Sequence, residues 1–133
     1  MKRIFSIKNK KPFRLTLGER GEMAGAAFLV RSGYRILETN YRCRLGEVDV
    51  IAVRGDRLAF IEIKTRRDHA RGAPEEAVHA RKQEKLVRLA QSYLRDHENL
   101  PEKISFDVLA LTWNKASGPE FRLIQDAFDL SGD

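Results

Sequence analysis

Residues 45–67 read LGEVDVIAVRGDRLAFIEIKTRR, and this stretch decides the fold. Two runs rich in β-branched residues, Val48–Val53 and Leu58–Lys64, flank the dipeptide Gly55-Asp56. Turn residues between two such runs predict a β-hairpin. The predicted register pairs, in order from the turn, Val53 with Leu58, Ile51 with Phe60 and Asp49 with Glu62.

Three charged residues are predicted to share one face at the end of this hairpin. Directly opposed residues of an antiparallel pair point to the same face, with Cβ atoms about 4.5–5.5 Å apart, so Asp49 and Glu62 lie together. Lys64 joins them because side chains alternate along a strand with a period of two. Two carboxylates this close repel each other, and a divalent cation would satisfy both.

A solvated strand end is the alternative interpretation of these three residues. Charged residues are mostly surface residues, and Lys64 would then simply pair with Glu62. The strand Leu58–Ile63 is apolar on both faces, however, apart from its one acid. Such a run is typical of a strand that is covered on both sides. The pattern therefore favours an acid held in a cleft, where it has a function.

The length of 133 residues predicts one domain with a single substantial core. We expect residues 1–17 to form a basic, poorly ordered arm and residues 18–133 to form the domain. The net charge is +6, and no acid precedes Glu19. Such an arm attracts nucleic acid or another anionic surface, or it is a solubilising end. Its basic residues are Lys2, Arg3, Lys8, Lys10, Lys11 and Arg14.

Several classes of protein are disfavoured by the sequence. Cys43 is the single cysteine, so an intrachain disulfide is excluded and a cytoplasmic location is expected. No apolar run approaches the roughly 18 residues that a membrane span needs. There is no Gly-rich phosphate loop and no G-x-S-x-G sequence, so nucleotide hydrolysis and serine-esterase chemistry have no support.

The hairpin is flanked by two predicted helices. The first spans about Glu19–Ser32, and its small residues Ala24–Ala27 would let it approach a sheet closely. Glu22 lies on or beside its buried row, either as a first-turn partner of the helix dipole or as a third carboxylate of the site. The second helix runs from Pro74 to about His97. Its apolar row contains Val78, Leu86, Leu89 and Tyr93, with Lys82 in the same row.

The remaining segments predict a loop and two further strands. Arg66 to Ala73 is a polar loop carrying Arg66, Arg67 and Arg71, which suits either phosphate contacts or plain solvation. Ile104–Trp113 is a predicted buried strand. Asp107 within it is expected to bond backbone amides rather than to act in the site. Phe121–Ala127 is predicted to close the sheet at an edge.

Four segments of the chain together resemble the YraN family of bacterial proteins, which is similar to restriction-endonuclease-like and Holliday-junction-resolvase-like nucleases. They cover roughly residues 18–113. The resemblance implies a three-layer α/β/α restriction-endonuclease-like core with a mixed central sheet. It also implies a nuclease-type metal site to which Glu22 contributes and which Lys82 could reach. The segments are GERGEMAGAAFLVRSGYRILETNYRCRLGEVDVIAV, LAFIEIKTR, PEEAVHARKQEKL and SFDVLAL.

The expected chemistry is phosphodiester hydrolysis with Mg²⁺ or Mn²⁺, and DNA is favoured over RNA by family analogy. Asp49 and Glu62 would hold the ion with the backbone carbonyl of Ile63, and Lys64 would orient the attacking water. Lys82 is a candidate phosphate contact. A non-enzymatic nucleic-acid-binding or adaptor module is the competing hypothesis, and an RNA-processing enzyme is a third. A homodimer is left open.

Overall fold

The computed structural model describes residues 14–67, 80–114 and 116–128. In these ranges five strands form one sheet in the order β1-β2-β3-β4-β5, with β3 and β4 parallel and the other neighbours antiparallel. The predicted α/β fold with a mixed central sheet is confirmed and is compatible with an α/β nuclease-like core. The elements are α1 (Leu17–Arg31), β1 (Arg35–Cys43), β2 (Gly46–Arg54), β3 (Arg57–Arg66), α2 (Ala80–Asp96), β4 (Lys103–Asn114) and β5 (Gly118–Phe128).

The central hairpin has the predicted turn and the predicted register near it. Gly55 has a φ of 61°, in the left-handed region that glycine adopts at little cost. The pairs Val53 with Leu58 and Ile51 with Phe60 are both present. The ladder then ends at Val50 and Ile61, one position before Asp49 and Glu62. The two acids therefore meet beyond the last paired residues of the hairpin.

The two helices cover opposite faces of the sheet. Leu29 of α1 packs in one core with Ile61, whereas Tyr93 of α2 packs in another with Phe60. Because Phe60 and Ile61 are adjacent on β3, their side chains point to opposite faces. Every residue from Leu58 to Ile63 is buried, which confirms that β3 is covered on both sides. Neither helix in the described ranges is long and apolar enough to cross a membrane.

The first helix begins with a capping box and starts at Leu17, two residues before the predicted start at Glu19. The N–H of Glu19 donates to Oγ1 of Thr16 (3.0 Å), and the N–H of Thr16 donates to Oε1 of Glu19 (2.9 Å). These two bonds satisfy amide groups that a helix start otherwise leaves unpaired. The predicted start of the second helix at Pro74 lies outside the described residues, as does Val78 of its predicted apolar row.

Close contact between α1 and β3 depends on two glycines of the helix. A Cβ atom at Gly21 would lie 1.9 Å from Oγ1 and 2.8 Å from Cβ of Thr65, and one at Gly25 would lie 2.9 Å from Cδ1 of Ile63. The small residues predicted to allow a close approach therefore do so at Gly25, and Gly21 adds a second contact. This contact sets the helix, and with it Glu22, against the end of β3.

Gly21→Ala is expected to lower the free energy of unfolding by about 1–3 kcal/mol, because α1 must shift away from Thr65. Gly18→Ala is the matched control, since its Cβ would meet nothing closer than Oγ1 of Thr16 at 3.9 Å. That variant should gain up to about 1 kcal/mol from helix propensity. Urea unfolding of both variants measures the difference, and a gain in both would show that α1 lies farther from β3.

Asp107 has the structural role expected of it. Its side chain is 2% exposed, and Oδ1 accepts the backbone N–H of Asp126 at 3.0 Å. Oδ2 accepts the hydroxyl of Ser105 at 3.3 Å. The bond to Asp126 lies where the register between β4 and β5 shifts, between Phe106 and Val108. Asp107 thus holds the irregular part of the edge strand β5 against β4.

Candidate active site

Asp49 lies where the regular geometry of two strands breaks. Val48 and Ile51 both pack in the core under α2, so the period-two alternation is interrupted between them. Asn40, which lies between the β1 residues that pair with Val50 and Val48, has a φ of 50°. Oδ2 of Asp49 accepts the backbone N–H of Ile63 at 2.7 Å. This side-chain hydrogen bond follows the last β2–β3 pair, Val50 with Ile61, and holds the carboxylate against β3.

This irregularity changes the explanation of why Asp49 and Glu62 lie close together, which was predicted from the hairpin register. Alternation holds from the turn to Val50 and is broken between Val50 and Val48, so the register alone does not fix the face of Asp49. The two side chains nevertheless line one cavity of about 570 Å³. Glu22 from α1 and Lys64 from β3 line the same cavity. All four residues predicted as catalytic are therefore brought together, although their roles stay predictions.

The carboxyl group of Asp49 is buried in this cavity beside two other acids. Burial raises the pKa of Asp49 to about 7, and repulsion by Glu62 and then by Glu22 adds to the increase. The hydrogen bond from Ile63 and the charge of Lys82 act in the opposite direction and are outweighed. A second cation near Asp49 would remove the repulsion, as the sequence analysis anticipated.

Glu62 is buried and is paired with a lysine of α2. Its side chain is 7% exposed, and Oε2 lies 2.5 Å from Nζ of Lys82. Burial acts to lower the pKa of Lys82, but the hydrogen bond and charge of Glu62, with further contributions from Lys64 and Asp49, outweigh it and raise this pKa. The solvated strand end is therefore wrong for Glu62, and its ion pair in the described part of the chain is with Lys82 rather than with Lys64.

Lys64 lies close to this pair and is half-buried. Burial is the main cause that lowers the pKa of Lys64, and the charge of Lys82 is the next. Glu62 and Asp49 act in the opposite direction but do not restore the ordinary value. The two lysines thus share the acids, and the cavity holds a compact set of opposite charges made by β2, β3 and α2.

The donor set fits a hard cation that keeps part of its water. Mg²⁺ takes one or two carboxylates and completes its octahedral shell with water and substrate oxygens. Asp49 and Glu62 supply two carboxylates, and Oδ1 of Asp49 is not used in the bond to Ile63. Within residues 14–67, 80–114 and 116–128, no three His, Cys, Asp or Glu side chains are placed to enclose an ion. A closed cage made of protein ligands is thus not present there.

Comparison with known proteins places the chain in a family. The family model described as "Uncharacterised protein family UPF0102" matches residues 21–111. The chain belongs to this family. A UPF0102 protein of Syntrophus aciditrophicus is 42% identical over 123 residues, which cover 90% of this chain and 96% of the relative. One of Symbiobacterium thermophilum is 47% identical over 112 residues, which cover 84% and 95%.

The UPF0102 match confirms the resemblance to the YraN family that the sequence motifs indicated. Its span contains Glu22, Asp49, Glu62, Lys64 and Lys82, so these residues of the cavity lie in the part that matches the family model. The match gives no activity, and the roles of these residues in the UPF0102 fold are therefore argued from their chemistry.

The predicted nucleic-acid contacts are only partly visible. Arg66 ends β3, and Arg67 follows it as an exposed residue. Arg71 of the same loop lies outside the described residues, as do Lys8, Lys10 and Lys11 of the arm. The contribution of these residues to binding stays a prediction, and so does the ligand role of the Ile63 carbonyl.

Sequence reasoning missed the part of the cavity that comes from β1 and the turn after it. Asn40, Arg42 and Glu47 also line the cavity, and Nε of Arg42 lies 3.1 Å from Oε2 of Glu47. The signal was the short turn Arg44-Leu45, since pairing of β1 with β2 around it brings Arg42 opposite Glu47. Extending the hairpin analysis to β1 would have identified both residues.

Proposed function

We propose that this chain is a metal-dependent nuclease that hydrolyses phosphodiester bonds. DNA is favoured over RNA by analogy with the nucleases that the sequence resembles, and branched or structured DNA is the first substrate to test. One observation carries the proposal: Asp49 and Glu62 line a single cavity with Lys64, where burial, together with repulsion by Glu62, raises the pKa of Asp49 to about 7. Such perturbed acids in a cavity are typical of functional sites.

The residues of the cavity have distinct parts in this mechanism. Asp49 and Glu62 would hold Mg²⁺ or Mn²⁺, with support from Glu22 and the Ile63 carbonyl. The ion, when bound, polarises the scissile phosphate and lowers the pKa of a bound water. The N–H of Ile63 fixes the orientation of Asp49. Lys64, whose pKa burial lowers, would orient the water and offset the charge that develops on the phosphate.

A non-catalytic nucleic-acid-binding or adaptor module is the second candidate. The ion pair between Lys82 and Glu62 supports it, because the protein itself supplies a cation to one of the acids. Two carboxylates that face a polyanionic phosphate backbone nevertheless oppose binding unless a further cation joins them. This cost favours the nuclease over the module.

A cleavage screen separates the two candidates. Linear, single-stranded and branched DNA and RNA would be incubated with the purified protein in Mg²⁺, in Mn²⁺ and in EDTA. The nuclease proposal predicts cleavage of at least one substrate with an ion and none with EDTA. Binding of nucleic acid without cleavage under any of these conditions would favour the module.

A further inference from the structure

Lys82 lines two adjoining cavities. The first is the acid cavity, where its ammonium group contacts Glu62. The second is a groove of about 340 Å³ between α2 and the turn that precedes β2, lined by Gly46, Glu47, Arg81, Lys82 and Lys85, with buried Leu86 beneath. The side chain of Lys82 is 34% exposed, so it lies at the boundary between the two.

The charge of Lys82 has different partners available on its two sides. In the acid cavity it neutralises Glu62, whose side chain is 7% exposed and has little access to water. A divalent ion bound by Glu62 would compete with the ammonium group, because both cations need the same buried carboxylate. The pairing with Lys82 therefore acts against the ion, and the ion acts against the pairing.

In the groove, the displaced ammonium group of Lys82 would lie near other cations. An anion bound there would neutralise this positive charge. Arg81 and Lys85 are exposed cations on the same side of α2. Glu47 and Lys82 line both cavities, so a strand lying in the groove leads directly to the acids. The lysine side chain is a flexible four-carbon stem with a compact charge, and it can reach a phosphate from the same backbone position.

We propose that Lys82 is a cation with two positions. It neutralises Glu62 in the ion-free protein, and it turns to a phosphate of a nucleic acid strand in the groove when a divalent ion takes Glu62. This inference rests on the proposed function and deepens it, since ion binding and phosphate binding become coupled through one positioning residue. Such a coupling is reciprocal between the two ligands.

The first test measures Mn²⁺ binding alone by calorimetry, without nucleic acid. Lys82→Met removes the competing charge and keeps an unbranched side chain, so Mn²⁺ should bind about tenfold more tightly than to the parent protein, a difference of about 1.4 kcal/mol. Lys85→Met is the matched control, because Lys85 lines the groove but not the acid cavity. Its affinity for Mn²⁺ should stay within about twofold of the parent value.

The second test measures binding of a branched DNA with and without Ca²⁺, an ion that takes oxygen ligands. Lys82→Met should weaken binding several-fold with Ca²⁺ and hardly at all without it. Lys85→Met should weaken binding by a similar factor in both conditions, because its charge is available to the groove throughout. Gel analysis of the recovered DNA ensures that binding and not cleavage is measured.

Glu62→Gln provides a third test in case Lys82→Met is poorly folded, because it leaves no buried carboxylate without a partner. It releases Lys82 without an ion, so ion-free DNA binding should tighten several-fold. The double variant Glu62→Gln with Lys82→Met should lose this gain. A gain that persists in the double variant would come from the lost acid alone and would overturn the inference.

The outcomes separate the inference from the proposed function. Equal Mn²⁺ affinity in the parent and in Lys82→Met overturns the inference and leaves the nuclease proposal intact. An equal loss of DNA binding with and without Ca²⁺ in Lys82→Met also overturns it. No Mn²⁺ binding by the parent or by any variant would defeat the metal-dependent function and the inference together.

Discussion

Glu62→Gln is expected to lower the single-turnover rate of DNA cleavage with Mg²⁺ by about 10²–10³-fold, the loss typical of removing one preorganised group that stabilises developing charge. The substitution keeps the size of the side chain and removes the charge that would hold the ion. DNA affinity should not fall, since a negative charge facing the phosphates is lost. Cleavage under excess enzyme and binding by fluorescence anisotropy would be measured on the same substrate.

Two further variants complete this experiment. Lys64→Ala should lose a similar factor in rate while it binds DNA nearly as well as the parent. Glu84→Gln is the control, because Glu84 is exposed on α2 and lines neither cavity described above. It should keep its rate within about threefold. Cleavage that persists in both Glu62→Gln and Lys64→Ala would point to another site or to a contaminating nuclease.

Asp49→Asn is expected to remove most of the stabilisation that Mg²⁺ or Mn²⁺ gives the folded protein. An ion that binds the native state alone at about 100 times its Kd contributes roughly 2.7 kcal/mol, and the parent should show a matching rise in melting temperature. The variant has one carboxylate fewer, whereas the Asn side-chain oxygen can still accept the N–H of Ile63. Equal shifts in parent and variant would show that the ion binds elsewhere.

The same variant tests the raised pKa of Asp49 in the absence of an ion. The unfolded chain loses this proton near the ordinary value of 3.8, whereas the folded protein keeps it up to about 7. The folded state therefore binds more protons over this range, and its stability falls as the pH rises through it. Asp49→Asn has no such loss, so it should be more stable than the ion-free parent at pH 8 by about 1–3 kcal/mol.

Urea unfolding in EDTA at several pH values measures this difference. The advantage of Asp49→Asn should shrink as the pH falls from 8 and should disappear below the ordinary pKa of 3.8, where both states of the parent hold the proton. Asp56→Asn serves as a control for an exposed acid whose pKa is lowered by its hydrogen bond to Lys103. An advantage of Asp49→Asn that does not depend on pH would contradict burial and repulsion as its cause.

The parts of the fold that were predicted correctly depend on local pattern. Gly55-Asp56 between two β-rich runs specifies a two-residue turn, and the turn specifies the register of the nearest pairs. The unbroken apolar run from Leu58 to Ile63 required cover on both faces, which α1 and α2 supply. The capping box of Thr16 and Glu19 was also readable from the sequence, although the predicted helix began at Glu19.

The geometry of the candidate site was harder to predict from the sequence, because it depends on contacts between elements that are distant along the chain. The break in alternation at Asp49 coincides with Asn40, a residue of the neighbouring strand with a positive φ. Periodicity within β2 gives no sign of it. The partner of Glu62 likewise depends on how α2 lies over β3. The alternative interpretation of the sequence paired Glu62 with its neighbour Lys64, whereas the fold pairs it with Lys82.

The most direct test of the central claim exchanges the ligand at position 49 and follows the choice of metal. Single-turnover cleavage would be measured for Asp49→Cys in Mg²⁺ and in Cd²⁺, with the parent protein in both ions as reference. A thiolate prefers soft ions over Mg²⁺, so we expect the variant to be inactive with Mg²⁺ and to regain cleavage with Cd²⁺. Cleavage by Asp49→Cys with Mg²⁺ at the parent rate would contradict a metal held by Asp49.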